Sequence, residues 1–488
     1  MLRVAASRIL VLSLMTMGLA GCIDPMTQTP AAATDILPPL GELVWLTTAN
    51  AMNFTQSIVG PAIGLAADLY EPTMEVSDTG TIYVAGHVIG AATTGTPAYF
   101  SNDDGKTWAP LPFLANLQTP PPGQGSQPPP GDEGFIVAGS DGQAWMADIY
   151  LAGFSITGWC DDGATQCYDN RQAYDRVGAT VAGCHALNLN DRPWAAYANG
   201  TLLLVNNPGG GAMQIGVMEV PPATPVGIGG GMASVAGPTW NFCASEGGGI
   251  PGIPSMRDDG LFAVPQMAGT QEKPILNVVV GNKADIFDVE TVKAFDVDSA
   301  GGGTSNGGRA AFDREGTLFV GARNNTQDED GNVIDGQFIL ATSTDDGKTF
   351  QNATFAVGTA VRSLYLDGNM HGPGALLSWS QLGDDETKSD WYVAHVHAGA
   401  DGRPVVENVT LAVDEGPHSS AHVMGAAIGP DGRAYFVNFE DTEGASDPVG
   451  QVQGMLAYAG STPISVWVQT DGATLPVTME MGEDHGHE

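Results

Sequence analysis

The sequence predicts an all-β protein made of small antiparallel sheets arranged in a ring, and three observations lead to this fold class. The composition has 66 Gly, 32 Pro and only 15% charged residues, which favours short strands joined by tight turns. A turn containing Asp, Asn or Gly between apolar half-strands recurs at intervals of 56 to 62 residues. One polar octapeptide, SNDDGKTW at residues 101–108, returns as STDDGKTF at residues 343–350.

The recurring turn defines the repeat unit. Its glycines are Gly80, Gly142, Gly200, Gly260, Gly316, Gly374 and Gly432. Apolar, β-branched and aromatic residues flank each turn, which is typical of a β-hairpin, and two more strands fit in the rest of each unit. In the first unit these are PAYFSN and WAPLP; in the fifth they are QFILATS and FQNATF. Four-stranded sheets repeated radially form a β-propeller, whose closure protects most strand edges. We therefore predict one propeller over residues 41–475, with seven blades, or six as the alternative count.

The octapeptide resembles the Asp-box, or BNR repeat, of sialidase-like β-propellers, where it forms the turn between the third and fourth strands of a blade. Ser101 and Asp103 can hydrogen-bond the turn backbone, Gly105 can adopt a positive φ, and Trp108 can pack between blades. The second copy places Ser343, Asp345, Gly347 and Phe350 in these roles. The motif is structural, so the resemblance implies an architecture.

The catalytic residues of sialidases have no counterparts here. That family has an arginine near its start, then an acid/base Asp, and a Tyr/Glu nucleophile pair later. This chain has no arginine between Arg8 and Arg171, and no Tyr can be assigned as the nucleophile. We therefore predict no catalytic residue from the resemblance.

The N-terminal segment predicts export and lipidation. Arg3 and Arg8 precede an apolar run over residues 9–17, and the sequence LAGC ends at Cys22, which resembles the lipobox of bacterial and archaeal lipoproteins. The alternatives are an ordinary secretory signal or a short membrane helix, but the run is shorter than the ~20 residues that span a bilayer. We expect residues 1–21 to be removed, Cys22 to carry lipid, and residues 22–40 to form a tether. This places the protein on the cell envelope, at the cell surface or outer membrane.

Four cysteines remain, at positions 160, 167, 184 and 243. An even number in an exported protein favours disulfides, for which three pairings are possible; a zinc site is the alternative, but the spacings fit no common zinc pattern. The sequence WCDDGATQC resembles a degraded Asp-box, and a hairpin there would bring its two arms together. We therefore predict a Cys160–Cys167 bond, which leaves Cys184 to pair with Cys243.

The charge limits the partners. A formal net charge of −37 repels phosphate backbones, so we expect no nucleic-acid ligand. We expect a monomer, and we expect residues 476–488 to form an acidic, histidine-containing tail.

Two sets of side chains are predicted to gather on the upper face, defined as the end opposite the Asp-box turns. The first set is acidic and suits Ca²⁺, or is merely solvated in an acidic protein: Asp328, Asp330, Asp384, Asp385 and Asp441. The second set lies at or before the innermost strands and suits a carboxylate or sulfate: Arg192, Arg309, Arg362, His418 and His422. The alternative for each arginine is a local ion pair, for example with Asp191 or Asp313. No cofactor is required by these patterns.

Three functions are compatible with this sequence. The first is a non-catalytic, cell-surface binding module for a glycan or protein ligand. The second is a glycoside hydrolase or lyase that acts on anionic sugars. The third, suggested by the similarity of Asp-box propellers to photosystem assembly factors, is an assembly or stability factor for a membrane complex.

Overall fold

In the described part of the chain, the regular secondary structure consists of β-strands. The structure, a computed structural model, describes residues 43–59, 69–88, 98–111, 133–139, 143–150, 153–160, 166–170, 191–207, 213–220, 239–240, 250–270, 273–297, 308–328, 333–384, 388–416, 425–439, 448–452, 455–458 and 464–478. All of these residues belong to one unit, Gly41–Glu488. Among them there is no helix that could cross a membrane.

The strands form seven antiparallel blades, which confirms the predicted seven-bladed β-propeller. Before the first blade come β1 (Leu43–Trp45) and β2 (Met52–Val59). Blade 1 contains β3 (Leu69–Val76), β4 (Ile82–Val88), β5 (Ala98–Ser101) and β6 (Ala109–Pro110). Blade 2 contains β7 (Glu133–Ala138), β8 (Gln143–Tyr150), β9 (Gly153–Cys160) and β10 (Gln166–Asn170). Blade 3 contains β11 (Asp191–Ala198), β12 (Thr201–Asn207), β13 (Gln214–Glu219) and β14 (Thr239–Trp240).

The later blades carry additional short strands. Blade 4 contains β15 (Ile250–Pro251) and β16 (Ser255–Met256), then β17 (Leu261–Thr270), β18 (Lys273–Asn282) and β19 (Asp285–Asp296). Blade 5 contains β20 (Arg309–Phe312) and β21 (Leu318–Arg323), the side hairpin β22 (Thr326–Gln327) and β23 (Val333–Asp335), then β24 (Gln337–Ser343) and β25 (Gln351–Ala356). Blade 6 contains β26 (Val361–Gly368), β27 (Ala375–Leu382), β28 (Ser389–Ala398) and β29 (Pro404–Gly416). Blade 7 contains β30 (Gly425–Ile428) and β31 (Ala434–Phe439), the side hairpin β32 (Pro448–Val452) and β33 (Met455–Tyr458), then β34 (Ile464–Gly472).

The innermost strand is β16 in blade 4 and the first strand in every other blade, and these strands contact each other in a closed ring. The order around the axis is β3, β7, β11, β16, β20, β26 and β30, and β30 in turn contacts β3. Apolar side chains fill the space between consecutive blades. One such cluster joins blades 7 and 1 through residues that include Val76, Ile82, Tyr435 and Val466. Burial of these facing sheets supplies the main driving force for closure.

The ring is closed by a strand from the beginning of the described chain. β2 pairs antiparallel with β34, from Met52 opposite Gly472 to Val59 opposite Ile464, and so becomes the fourth strand of blade 7. β1 pairs parallel with β25 at the outer edge of blade 5. The repeat pattern did not reveal either strand, because most side chains of β1 and β2 are exposed and lack a buried apolar face.

The glycine turns join the first and second strands of each blade. Six of the seven turn glycines are described, and all have a positive φ: Gly80, Gly200, Gly260, Gly316, Gly374 and Gly432. Gly142 lies outside the described residues. Because strands alternate in direction, these turns share one end of the propeller with the turns between the third and fourth strands. We call this end the lower face.

The two Asp-box octapeptides form the same turn in blades 1 and 5, between the third and fourth strands. Ser101 Oγ donates to Asp103 Oδ1 over 2.8 Å and accepts from the Gly105 N–H over 2.9 Å. The Asp103 carboxylate also accepts from the backbone and hydroxyl of Thr107 over 2.9 and 2.7 Å. In the second copy the corresponding bonds are 2.7, 2.9, 2.9 and 2.7 Å, made by Ser343, Asp345, Gly347 and Thr349. The residues that the two octapeptides share therefore form the same four hydrogen bonds in both turns.

Each Asp-box turn packs on the preceding blade. The indole Nε1 of Trp108 donates to Ser57 Oγ over 2.8 Å, and Ser57 lies on the strand that completes blade 7. Phe350 is 9% exposed and belongs to the apolar cluster between blades 4 and 5. The motif thus fastens neighbouring blades and has a structural role in the ring.

Candidate functional site

A cavity occupies the lower end of the channel that the innermost strands enclose. Its volume is about 110 Å³, which is room for roughly three or four waters at about 30 Å³ each. All seven innermost strands contribute to its wall. The apolar wall includes Phe135, Val137, Ile253, Met256 and Ile428. The polar wall includes Glu75, Asp78, Asp258, Tyr365, Asp367 and His371.

Two carboxylic acids from different blades share this wall, Glu75 near the end of β3 and Asp367 near the end of β26. The Val76 N–H donates to Glu75 Oε1 over 3.2 Å, and the Ile428 N–H donates to Asp367 Oδ2 over 2.9 Å. Burial raises the pKa of Glu75 well above its usual range, and the charge of Asp367 raises it further. Burial also raises the pKa of Asp367, although its backbone hydrogen bonds oppose this. The pair therefore holds protons at pH values where exposed carboxyl groups are ionised.

Tyr365 lies on the same strand as Asp367, two residues earlier, so both side chains project from one side of β26. It is 5% exposed, and none of the described residues hydrogen-bonds to its hydroxyl. The guanidinium carbon of Arg309 lies 5.5 Å from the centre of its ring, within the range of a cation–π contact. Burial and then the charges of Glu75 and Asp367 raise the pKa of Tyr365, whereas Arg309 opposes the shift. The cavity thus contains a neutral phenol that can both donate and accept a hydrogen bond.

The cavity reaches the lower face beside an imidazole–carboxylate contact. His371 Nε2 lies 3.4 Å from Asp78 Oδ1, and each residue belongs to the turn that follows an innermost strand. Asp258 occupies the corresponding turn of blade 4 and also lines the cavity. Carboxylates therefore surround this entrance.

Arginines gather at the opposite, upper end of the innermost strands of blades 5 and 6. Arg309 begins β20, Arg362 is the second residue of β26, and Arg323 ends β21. Arg323 Nη1 donates to the backbone carbonyl of Arg362 over 2.5 Å. Burial and the nearby charge of Arg362 lower the pKa of Arg323 to about 10, and burial lowers the pKa of Arg362. Within the described chain, the buried Nε of Arg362 has no hydrogen-bond partner. An anion bound here would offset the cost of holding two guanidinium groups close together.

The predicted anion-binding set is only partly visible. Arg309 and Arg362 lie on adjacent innermost strands, as the repeat pattern predicts. Arg192 lies near the start of β11, but its side chain, like His418 and His422, falls outside the described residues. The Asp313 carboxylate, named above as an alternative partner of Arg309, accepts from the backbone N–H groups of Thr317 and Gly374, each over 2.8 Å.

The predicted calcium residues are also incompletely described. Asp328 and Asp384 are exposed residues at the edges of described segments. The other three, Asp330, Asp385 and Asp441, lie outside the described residues. Within the described ranges no three His, Cys, Asp or Glu residues are grouped closely enough to hold a metal ion.

The two predicted cysteine pairs also lie partly outside the described residues, since Cys184 and Cys243 are not described.

Four residues of the channel were not singled out from the sequence: Glu75, Tyr365, Asp367 and Arg323. Glu75 lies in the segment EPTMEVSD, and Tyr365 and Asp367 lie in VRSLYLDGN. The sequence does place an acid, Glu75 or Asp367, near the end of a strand that is predicted to be innermost. A carboxylate buried there is poorly solvated, and this could have marked both residues as candidates. Which of the acids meet depends on ring closure, and no spacing along the chain shows it.

Comparisons with known proteins identify no family for this chain. No family model matches, and no curated protein matches. Among solved structures, similar ones include the phage phi92 endosialidase, with 11% identity, a TM-score of 0.44, and coverage of 88% of this chain and 71% of that one. The NanB sialidase of Streptococcus pneumoniae has 9% identity, a TM-score of 0.42, and coverage of 86% and 71%. The polysaccharide lyase Uly1 has 9% identity, a TM-score of 0.46, and coverage of 88% and 97%. Likeness at this level assigns no ligand to the protein.

Proposed function

We propose that this protein is a non-catalytic binding propeller of the cell envelope, which recognises an anionic group of a glycan or protein ligand at the upper end of its channel. The anionic group is a carboxylate or a sulfate. The recognition residues are Arg309, Arg323 and Arg362, with Arg192 as a fourth arginine from the third blade.

The observation that carries this proposal is the closeness of Arg323 and Arg362. Burial and then the nearby charge of Arg362 lower the pKa of Arg323, and burial lowers the pKa of Arg362. Guanidinium groups bind carboxylate and sulfate through paired N–H donors, and they do so more strongly when partly removed from water. Two guanidinium groups placed close together are therefore expected to favour an anion.

The net charge of −37 limits how an anionic ligand can be bound. A protein with this charge repels anions at long range, so local arginines must provide the attraction. We expect binding that depends on a specific anionic group at short range, and that tolerates moderate salt better than a diffuse electrostatic contact would.

The test is a binding titration with polygalacturonate, a sulfated oligosaccharide and a neutral oligosaccharide of equal length. We expect the anionic ligands alone to bind, and Arg362→Gln to weaken binding about tenfold, as loss of a charged hydrogen bond of about 1.5 kcal/mol predicts. Arg403→Gln is the matched control, because Arg403 is exposed on the surface and pairs with Asp401 at 3.7 Å. Equal loss of binding in both variants, or tight binding of the neutral ligand, contradicts the proposal. Turnover of the anionic ligand, lost in Arg362→Gln, would show an enzyme instead.

The envelope location rests on Cys22 and is tested separately. Metabolic labelling with a radioactive fatty acid should mark the wild-type protein, and the Cys22→Ser variant should remain unlabelled and leave the membrane fraction. Lipid label on Cys22→Ser would reject that cysteine as the anchor.

Calcium binding by the upper acidic loops is a separate part of the proposal. Asp328, Asp330, Asp384, Asp385 and Asp441 supply the hard oxygen ligands that Ca²⁺ prefers. Calorimetric titration should show heat with CaCl₂ that is lost in an Asp384→Asn/Asp385→Asn variant. Absence of heat and of any melting shift at millimolar Ca²⁺ removes this site.

A further inference from the structure

We propose that the cavity at the lower end of the channel is a binding site for a short primary ammonium group. The site is formed by Glu75, Asp367 and Tyr365, and it lies at the other end of the channel from Arg362.

The first reason is the geometry of the cavity. It is bounded by all seven innermost strands, and it reaches the lower face through turn residues such as Asp78 and His371. Its volume of about 110 Å³ holds a few non-hydrogen atoms, which matches an ammonium group with one or two carbons.

The second reason is an uncompensated set of polar groups. Within the described residues neither Glu75 nor Asp367 forms an ion pair with Lys or Arg, and each accepts hydrogen bonds only from backbone N–H groups. Tyr365 is 5% exposed and lines the cavity, and its hydroxyl has no protein partner in the described chain. Buried polar groups normally have hydrogen-bond partners, so this set points to a ligand.

The third reason is chemical complementarity. A primary ammonium has three N–H donors, and the wall offers three acceptors: two carboxyl groups and one phenol oxygen. The rest of the wall is apolar, with Phe135, Val137 and Ile428 available to contact the carbon part of the ligand. A hard divalent cation is less suited, since Ca²⁺ takes 6–8 oxygen ligands and Mg²⁺ requires octahedral coordination.

The charges around the site set the pH dependence. Glu75 faces Asp367 and Asp78, Tyr365 faces Glu75, Asp367 and Arg309, and His371 contacts Asp78 at the entrance. Because burial disfavours the ionised carboxylates, the empty site retains protons near neutral pH. An ammonium group binds the ionised form, so binding releases protons and becomes weaker as the pH falls.

The experiment measures melting of the full chain at pH 8 with methylammonium chloride, with tetramethylammonium chloride and with NaCl at equal ionic strength. We expect methylammonium alone to raise the Tm beyond the NaCl value. The shift should disappear in the Glu75→Gln/Asp367→Asn variant, fall in Tyr365→Phe, and persist in Asp401→Asn, whose carboxylate is exposed. Calorimetry in two buffers of different ionisation enthalpy should detect proton release, with at least about tenfold weaker binding in the double variant.

Three results would overturn the proposal: no methylammonium-specific shift in the wild type, an equal shift with NaCl, or an unchanged shift in the double variant. The double variant removes two buried charges, so we expect it to fold and melt at least as high as wild type at pH 8. If it does not fold, the calorimetric titration of Tyr365→Phe decides. The outcome is independent of the anion titration, because the two ligands have opposite charge.

Discussion

Arg433 in the last blade donates through Nη2 to Asp104 Oδ1 in the first blade, over 2.9 Å. The same guanidinium donates through Nε to Asp431 over 2.5 Å. Asp104 is the second acid of the first Asp-box, and the second copy repeats the contact: Arg257 in blade 4 donates to Asp346 in blade 5 over 2.8 Å. The Asp-box therefore provides an anion for an arginine in the preceding blade, at two positions around the ring.

We expect Arg433→Gln to lower the free energy of unfolding by about 1 kcal/mol, since the ion pairs are partly exposed and surface pairs contribute 0–1 kcal/mol. Urea unfolding measures the change. Arg403→Gln, whose single partner is 3.7 Å away and more exposed, should stay within about 0.5 kcal/mol of wild type. Equal values for the two variants would show that the contact between the last and first blades adds nothing.

Glu75→Gln should stabilise the protein at high pH. The folded-state pKa of Glu75 is raised by burial and by Asp367, so the folded state binds more protons than the unfolded state over this range. Wild-type stability therefore falls as the pH rises from the unfolded-state pKa, near 4.3, through the raised folded-state pKa. The variant lacks this loss, so its Tm should exceed that of wild type at pH 8 and approach it at pH 4.5.

The control for Glu75→Gln is Asp401→Asn, which alters an exposed carboxylate. Its Tm difference from wild type should not change with pH in the same direction. A Glu75→Gln protein that melts lower than wild type at pH 8 would contradict the assignment of an unfavourable buried charge.

His395 should produce the opposite pH dependence. It is 2% exposed, and burial lowers its pKa to about 4 from the ordinary value of 6.5. The unfolded state then binds a proton that the folded state does not, so this residue's contribution to stability is lost as the pH falls from 6.5 through 4. At 1.36 kcal/mol per pKa unit the loss is about 3 kcal/mol.

His395→Gln should reduce the acid sensitivity in melting experiments, whereas His397→Gln, which changes a half-exposed neighbour, should not. Equal acid sensitivity of wild type and His395→Gln would show that protonation of His395 does not cause the loss of stability.

Two turn glycines should differ in their tolerance of alanine. Gly80 and Gly432 have φ values of 83° and 79°, so alanine at either site adds about 1–2 kcal/mol of left-handed strain. A Cβ at position 80 meets nothing within 4 Å, whereas at position 432 it would lie 2.2 Å from the carbonyl oxygen of Leu475. Gly432→Ala should therefore lower the unfolding midpoint clearly more than Gly80→Ala. Similar midpoints for both variants would indicate that the blade 7 turn can shift without cost.

Cys160 should be linked to Cys167. The strands that carry them pair antiparallel, with Gln166 opposite Trp159, so the two arms of the hairpin are adjacent. Peptide mapping under non-reducing conditions should recover one fragment that contains both cysteines. Recovery of Cys160 joined to Cys184 would reject this pairing.

Blade number and turn positions could be predicted because they repeat along the chain. The glycines at positions 80, 200, 316 and 432 all have a positive φ, and their regular spacing is visible in the sequence. Strand β2 could not be predicted in the same way. Its role depends on pairing with β34, about 410 residues later, and its exposed outer face leaves no apolar alternation to detect.

Local chemistry along the chain determines the hairpins within the blades, their tight turns and the hydrogen bonds of the two Asp-boxes, because each depends on residues close together in the sequence. Closure of the ring decides which side chains meet on the axis. Glu75 of blade 1, Tyr365 and Asp367 of blade 6 and Arg309 of blade 5 come from distant segments and share one channel only when the seven innermost strands form a complete circle. Burial within that circle, and not the identity of any single acid, changes their pKa values and makes the cavity a candidate site.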